Sequence, residues 1–308
     1  MKTIYTEGLA HAIIEKDGII THYEGELYKF STLSELQDFY NTKISTIVFM
    51  VPFRTIRERG FEAHGDEPIL AIDARKVTKL MRTEVEMILS DKPIILEKPI
   101  LPLMNDEQFA RKVKEIQEKE INEGNICQMI LSQPLSGKIQ DFSKKDVESA
   151  FRNCLKQRGQ YMTVLFDDGE GNSFVSLTPE QHLGITDEKV MMNPIAGTHK
   201  KGDIRDLKER LLTFLGDPKE IRELFHVLDE ELKMMETICE EGGHIEGPFL
   251  RQNGAVIHTE YKLIGKRNKD MQPLNTLRET LHAPTLTGGP IESAVNLIAK
   301  YEPISRGY

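Results

Sequence analysis

No stretch of this 308-residue chain approaches the run of about 18 apolar residues needed to span a bilayer. The opening residues, MKTIYTEGLAHAIIEKDG, meet acidic groups before any uninterrupted apolar stretch, so no secretory signal is predicted and the expected compartment is the cytoplasm. Cysteine is scarce: Cys127, Cys154 and Cys239 lie far apart and form no CxxC pair. That excludes the spacing of a zinc ribbon or a dithiol redox motif and leaves reduced, mostly buried thiols as the expectation. Positive charge is in deficit, with 40 Lys and Arg against 49 Asp and Glu and a net charge of −9. Nucleic acid is therefore not an expected partner, since a phosphate-backbone footprint needs a basic surplus. No period of 20 to 50 residues repeats and no low-complexity tract interrupts the chain.

What is present is an ordinary globular composition, 39% hydrophobic and 29% charged. The length suits one large domain or a core with a smaller appendage. ISTIVFMVPF (Ile44 to Phe53) is an apolar, β-branched run of strand length, and VTKLMRTEVEMIL (Val77 to Leu89) carries helical spacing. DKPIILEKPILPLMND is rich in proline and is the best linker candidate, which divides the chain into an N-terminal α+β portion, residues 1–100, and a core, residues 101–308. From Asn105 a charged amphipathic helix is predicted, with Gly124 placed to end it. The short apolar runs ICQMILSQPL, YMTVLFDD, SFVSL and HLGIT read as strands. Helices return over Ile204 to Leu215, Pro218 to about Glu240, and Ile291 to about Tyr301. Groups of strands and helices without regular βαβ spacing predict a mixed α+β fold.

Several residues carry chemistry if the fold gathers them. In IRELFHVLDEELKMMETICEE, Glu230 shares a helix face with His226, Met234 and, more loosely, Glu223. The face is either a solvated acidic stripe or a holder for a hard divalent cation such as Mg2+, which takes oxygen ligands and keeps waters for a substrate to displace. Glu180 follows a proline between two predicted strands; it is either an exposed turn residue or a carboxyl whose partial burial raises its pKa for general-acid work. MMNPIAGTHKKG offers a glycine turn, a threonine hydroxyl and two lysines to an anion, but lacks P-loop spacing. APTLTGGP opens a helix with backbone donors that suit a carboxylate, and equally an ordinary cap. His258, in the apolar run AVIHTEYKLIG, is as readily a satisfied core histidine as a catalyst.

Taken in order, NICQMILSQ, SLTPEQ, NPIAGTHKKG, DEELKMM, AVIHTEYKLIG and APTLTGGPIESA followed by YEPISRGY resemble the chorismate-utilising enzymes, the family of anthranilate, aminodeoxychorismate and isochorismate synthases. PFRTIRERGFEAHGDEP extends the likeness toward the N-terminus, and with VLDEELKMM and IHTEYKLIG it resembles the phenazine-biosynthesis branch, which makes 2-amino-2-deoxyisochorismate. The resemblance implies an α+β fold of orthogonally packed antiparallel sheets flanked by helices. It also implies amination of chorismate at C2 with Mg2+ as cofactor, and a glutamine amidotransferase subunit or domain that supplies ammonia. Residue by residue, it makes Glu230 the metal ligand, Glu180 the acid that protonates the departing C4 hydroxyl, and His258 the active-site histidine. Ala196, Gly197, Thr198, Thr285 and Thr287 would surround the substrate. Members that add water carry a lysine where this chain has Gln128, so ammonia is the implied nucleophile. His199 and Gln133 stand where the family often has arginine. The family pattern continues past YEPISRGY with further substrate- and metal-binding residues, so the active site is expected to be incomplete within these residues. The alternative reading is an inactive remnant or interaction subunit of such a synthase.

Overall fold

The computed structural model describes Thr6, residues 8–157 and residues 159–308. Its chain divides into two compact units, and each is built from three separate stretches. The first holds Met1–Val51, Pro68–Leu103 and Pro134–Pro179; the second holds Pro52–Glu67, Met104–Gln133 and Glu180–Tyr308. A single boundary at residue 100 is therefore not how the chain is partitioned. The proline-rich segment runs past that point within the first unit, where Leu101–Pro102 pairs with Leu135–Ser136.

The first unit is a six-stranded sheet in the order β3-β4-β2-β1-β5-β6. Its strands are β1 (Ala10–Lys16), β2 (Ile19–Phe30), β3 (Thr46–Met50), β4 (Ile69–Leu80), β5 (Met162–Asp167) and β6 (Ser173–Thr178). All neighbours pair antiparallel. Alternation along β1 and β5 sends Ile13 and Leu165 to one side, where they are buried with Phe151 and Leu155 of the helix Lys144–Leu155. Ala12 and Phe166 go to the other side, against Leu70 and Ile72. The expected helix over Val77–Leu89 is half strand: β4 runs to Leu80, and only Arg82–Ile88 is helical. Pairing with β2 through Ile20↔Leu80 and Tyr23↔Val77 overrides the local 3.6-residue spacing.

The second unit is a five-stranded antiparallel sheet under one long helix. β7 (Gln181–Thr186), β8 (Lys189–Asn193), β9 (Ile195–Lys200), β10 (Cys239–Asn253) and β11 (Val256–Arg267) form it. β11 is the organising strand. One edge pairs along its length with β10; on the other, its first half pairs with β9 and its second half with β8. The long helix Pro218–Ile238 starts on an Asp217 side chain that accepts the Lys219 N–H, with Pro218 in the first turn, where its missing donor costs nothing. It buries Leu224, Val227, Leu228, Met234, Met235 and Ile238, the spacing of an amphipathic stripe. Met192, Leu263 and Val295 complete that core. Of the cysteines, Cys239 is buried, Cys154 is half-buried and Cys127 is exposed. Among the described residues, no helix is long and apolar enough to cross a membrane.

Candidate active site

Glu180 opens the second unit immediately before β7, and Thr285, in the helical turn Pro284–Thr287, donates its hydroxyl to Glu180 Oε1 at 3.0 Å. Burial pushes the Glu180 carboxyl up to about 7, against the opposing pull of the Thr285 hydrogen bond. Near neutral pH a large fraction of it is therefore the carboxylic acid, with a transferable proton. A second carboxyl, Glu231 of the long helix, is fully buried, and neither of its oxygens has a hydrogen-bond partner among the described residues. Burial raises its pKa well above the ordinary value, and the negative charge of Glu180 raises it further. Two such groups hold protons as a pair, because charging both at once is costly. The sequence reading passed over Glu231. Its signal was its place on the stripe Leu224, Val227, Leu228, Glu231, Met234, Met235, where a charged residue breaks an otherwise apolar series.

Glu230 lies beside it with a different role. Its Oε1 accepts from Lys233 at 2.6 Å and its Oε2 accepts the backbone N–H of Ile291 at 3.0 Å. Ile291 is the first residue of the helix Ile291–Tyr301, so this carboxylate caps a helix whose first turn presents free N–H groups. The Glu230 side chain also packs against Gly289, where a Cβ would lie 3.1 Å from its Cγ. Both oxygens are committed, one of them to a cation of the protein itself, and a metal ion would have to displace both partners. The expected metal role of Glu230 is therefore not supported by its surroundings.

Earlier on the same helix, Glu220 and Glu223 are bridged by Lys219 at 2.9 and 2.6 Å. Glu220 Oε2 is buried without a hydrogen-bond partner among the described residues and lies where a Cβ on Gly197 would come within 2.6 Å. A Cβ on Gly197 would press on this carboxylate and on Phe214, which meets the same point at 2.6 Å, so one or both side chains would have to shift. The register of β9 against β11 shifts between Ile195 and Thr198, so Ala196 and Gly197 form an irregular step in the strand. Thr259 Oγ1 accepts the Gly197 N–H at 3.1 Å there.

Beyond the step, Thr198 faces His258, with Oγ1 and Nδ1 3.0 Å apart. His258 is buried; desolvation, followed by the charge of Arg251, lowers its pKa, so the ring is neutral at physiological pH. Gln128 begins the short ladder Gln128–Met129 against Gly288–Gly289. Thr287 is fully buried and spends its hydroxyl on the Ala283 carbonyl at 3.1 Å, which holds the turn rather than offering a group to a ligand. The sequence-predicted residues thus fall into three groups: Glu180 with Thr285, Thr198 with His258 beside Ala196 and Gly197, and Gln128 with Glu230 around Gly288–Gly289. His182, two residues after Glu180, adds a half-buried imidazole kept neutral by desolvation, whose Nε2 lies 3.1 Å from Thr280 Oγ1.

The second unit thus sets an antiparallel sheet under a long helix and brings the raised carboxyl of Glu180 into the electrostatic range of the buried Glu231. The chorismate binding enzyme family matches residues 70–308, and the chain belongs to it. Over 297 residues it is 35% identical to the phenazine-specific anthranilate synthase of Pseudomonas chlororaphis, covering 94% of this chain and 46% of that protein. It is 27% identical over 205 residues to anthranilate synthase component 1 of Bacillus caldotenax, covering 65% of this chain and 39% of that protein. The chain therefore spans about half, or less, of the length of these relatives. In fold it matches the crystal structure of a putative 2,3-dihydroxybenzoate-specific isochorismate synthase from Bacillus anthracis, with TM-score 0.76, 19% identity and coverage of 97% of this chain and 79% of that one. That agreement bears out the expected α+β fold.

Proposed function

We propose that this chain carries the chorismate-aminating site of a phenazine-type synthase. Ammonia adds to C2 of chorismate as the C4 hydroxyl departs and the ring double bonds shift, giving 2-amino-2-deoxyisochorismate and water. Loss of pyruvate in a further step would give anthranilate. The observation that carries this reading is Glu180: its carboxyl keeps a proton near pH 7 and is aimed by Thr285. It gives that proton to the leaving hydroxyl, and the proton released from the attacking nitrogen restores it. Glu231 stays neutral beside it, so that Glu180 ionises against a dipole rather than a charge. Gln128 favours ammonia over water, since an amide has no free electron pair basic enough to deprotonate water. The likeness to the phenazine-specific anthranilate synthase supports this branch.

Magnesium, when bound, would orient the substrate's carboxylate and withdraw charge from it as a Lewis acid. The carboxylates that could hold it are Glu220, whose buried Oε2 has no hydrogen-bond partner among the described residues, and Glu223; both are paired with Lys219, as Glu230 is with Lys233, but Glu230 would also have to release the Ile291 N–H. The ammonia would come from a glutamine amidotransferase subunit or domain, as the family resemblance implies. The test is incubation of the purified chain with chorismate, MgCl2 and an ammonium salt, followed by chromatography. Chorismate loss with an aminated product is expected. An intact, folded chain that leaves chorismate untouched, or converts it equally well to isochorismate without ammonium, overturns the reading.

A further inference from the structure

The first unit contains a group of side chains that the amination reaction does not use. His11 on β1 and His22 and Glu24 on β2 point to one place, their ligand atoms all within 4.8 Å of one another. The strand register explains it. His11 is paired with Glu24, and Ile13 with His22, so His11, His22 and Glu24 occupy alternate positions on one face of adjacent strands. His11 Nδ1 lies 3.1 Å from His22 Nε2 and 3.8 Å from Glu24 Oε2. Both imidazoles are buried, at 1% and 7% exposure, and the Glu24 side chain at 12%.

Two imidazole nitrogens at this separation bracket the edge of a tetrahedron around an ion with metal–nitrogen bonds of about 2.0–2.1 Å. Thr6 meets His11 Nε2 with both backbone groups, its N–H at 3.1 Å and its carbonyl oxygen at 3.3 Å; an ion would be bound by the tautomer in which Nε2 donates to the carbonyl and Nδ1 turns its lone pair toward the cluster. That backbone acceptor behind a ligating histidine is the usual outer support of a metal site. Thr6 Oγ1 donates to Glu24 Oε2 at 2.7 Å and fixes the carboxylate from the other side. The opposing feature is Lys76, 3.9 Å from Glu24 Oε1, but its side chain is 66% exposed and its charge is screened.

We propose that His11, His22 and Glu24 form a binding site for a divalent cation of borderline softness, Zn2+ foremost, with two imidazole nitrogens and one carboxylate oxygen as protein ligands and a solvent oxygen completing the shell. The donor set selects against Mg2+ and Ca2+, which take all-oxygen shells. Bound there, the ion ties β1 to β2 in the middle of the six-stranded sheet. The site rests on none of the residues assigned to amination, and its test is separate from theirs. Without a cation, the same nitrogens are satisfied by a single N–H···N hydrogen bond, and that is the arrangement to be told apart.

The experiment uses the full chain, stripped with a chelator and dialysed. Zn2+ is titrated in competition with a chromophoric chelator, and Co2+ is added separately as a spectroscopic probe. One equivalent of Zn2+ is expected, with the intense visible absorption of tetrahedral Co2+ and displacement of two imidazole resonances in the NMR spectrum. His22→Gln and Glu24→Gln should each weaken Zn2+ binding at least tenfold. A wild-type chain that takes up no Zn2+, gives only the weak spectrum of six-coordinate Co2+, or binds equally well in both folded variants overturns the proposal. If either variant fails to fold, the wild-type Co2+ and imidazole signals decide alone.

Discussion

The Thr285 hydroxyl donates to Glu180 Oε1 at 3.0 Å, and this contact opposes the burial that raises the carboxyl to about 7. The two effects have opposite signs, and each can be removed separately. Thr285→Val takes away this lowering influence, so the alkaline limb of kcat/KM moves to higher pH. Its plateau falls about fivefold, the cost of one positioning hydrogen bond of roughly 1 kcal/mol. A plateau unchanged and a limb that stays in place would show that the contact does not act on Glu180 in catalysis.

In the proposed reaction the working form of Glu180 is the protonated one. Chorismate consumption therefore declines as pH rises through about 7, and it declines on the alkaline side because the raised pKa belongs to an acid rather than a base. Glu180→Gln keeps the shape but has no proton to give, and kcat should drop by about 10²–10⁴ with a smaller change in KM. Steady-state rates between pH 5.5 and 9 with saturating ammonium ion check both points, after correction for the fraction present as free ammonia.

Much of this arrangement was legible beforehand because local patterns and tertiary demands agree. The helix Ile291–Tyr301 falls where its apolar spacing placed it, and β5 and β6 coincide with the runs YMTVLFDD and SFVSL. What the sequence hid depends on contacts between distant residues. Glu230 and Glu231 are adjacent and alike on paper. A helix start 61 residues away takes Glu230 as its cap, while Glu231 turns into the core. The strand β10 was also missed, since EEGGHIEGPFLRQN alternates poorly and owes its extended form to a ladder with β11 whose register shifts twice. The interleaved units follow from strand pairings such as β1 with β5, which no local reading supplies.

The cap role of Glu230 gives a stability prediction with a built-in contrast. Glu230→Ala leaves the Ile291 N–H without its acceptor and should cost about 1–2 kcal/mol, read as a lowered denaturation midpoint. Mg2+ binding by calorimetry should survive in that variant. Glu220→Gln should do the reverse, sparing the midpoint within about 0.5 kcal/mol while abolishing the calorimetric signal. Loss of Mg2+ binding confined to Glu230→Ala would restore the metal role to Glu230.

Glu231 trades stability for function. Its folded pKa is raised above the unfolded value of 4.5, so the folded chain binds the proton more tightly. Its contribution is therefore most favourable below pH 4.5 and is lost as pH rises from there through the folded pKa. Glu231→Met fits the apolar stripe and removes a buried carboxyl with no hydrogen-bond partner. At pH 8 it should stabilise the chain by about 1–3 kcal/mol and flatten the pH dependence of the melting temperature. Turnover should fall at the same time, because Glu180 loses the neutral carboxyl dipole against which it ionises.

Two glycines separate shape from chemistry. Gly288 has φ +109, and a Cβ there would run into the Gln128 carbonyl across the ladder, a backbone atom that cannot move aside alone. Gly288→Ala should therefore destabilise the chain by about 3 kcal/mol or more, combining backbone strain with overpacking. Gly197 has no such backbone obstacle: its missing Cβ would meet only the ends of the Glu220 and Phe214 side chains, both at 2.6 Å. These can swing away, so Gly197→Ala should shift the denaturation midpoint little. The displaced Glu220 would then hold Mg2+ about tenfold more weakly, a loss comparable to that from disturbing a ligand's support. A Gly197→Ala chain that binds Mg2+ as tightly as wild type would separate Glu220 from the metal and leave Glu223 as the carboxylate to test next.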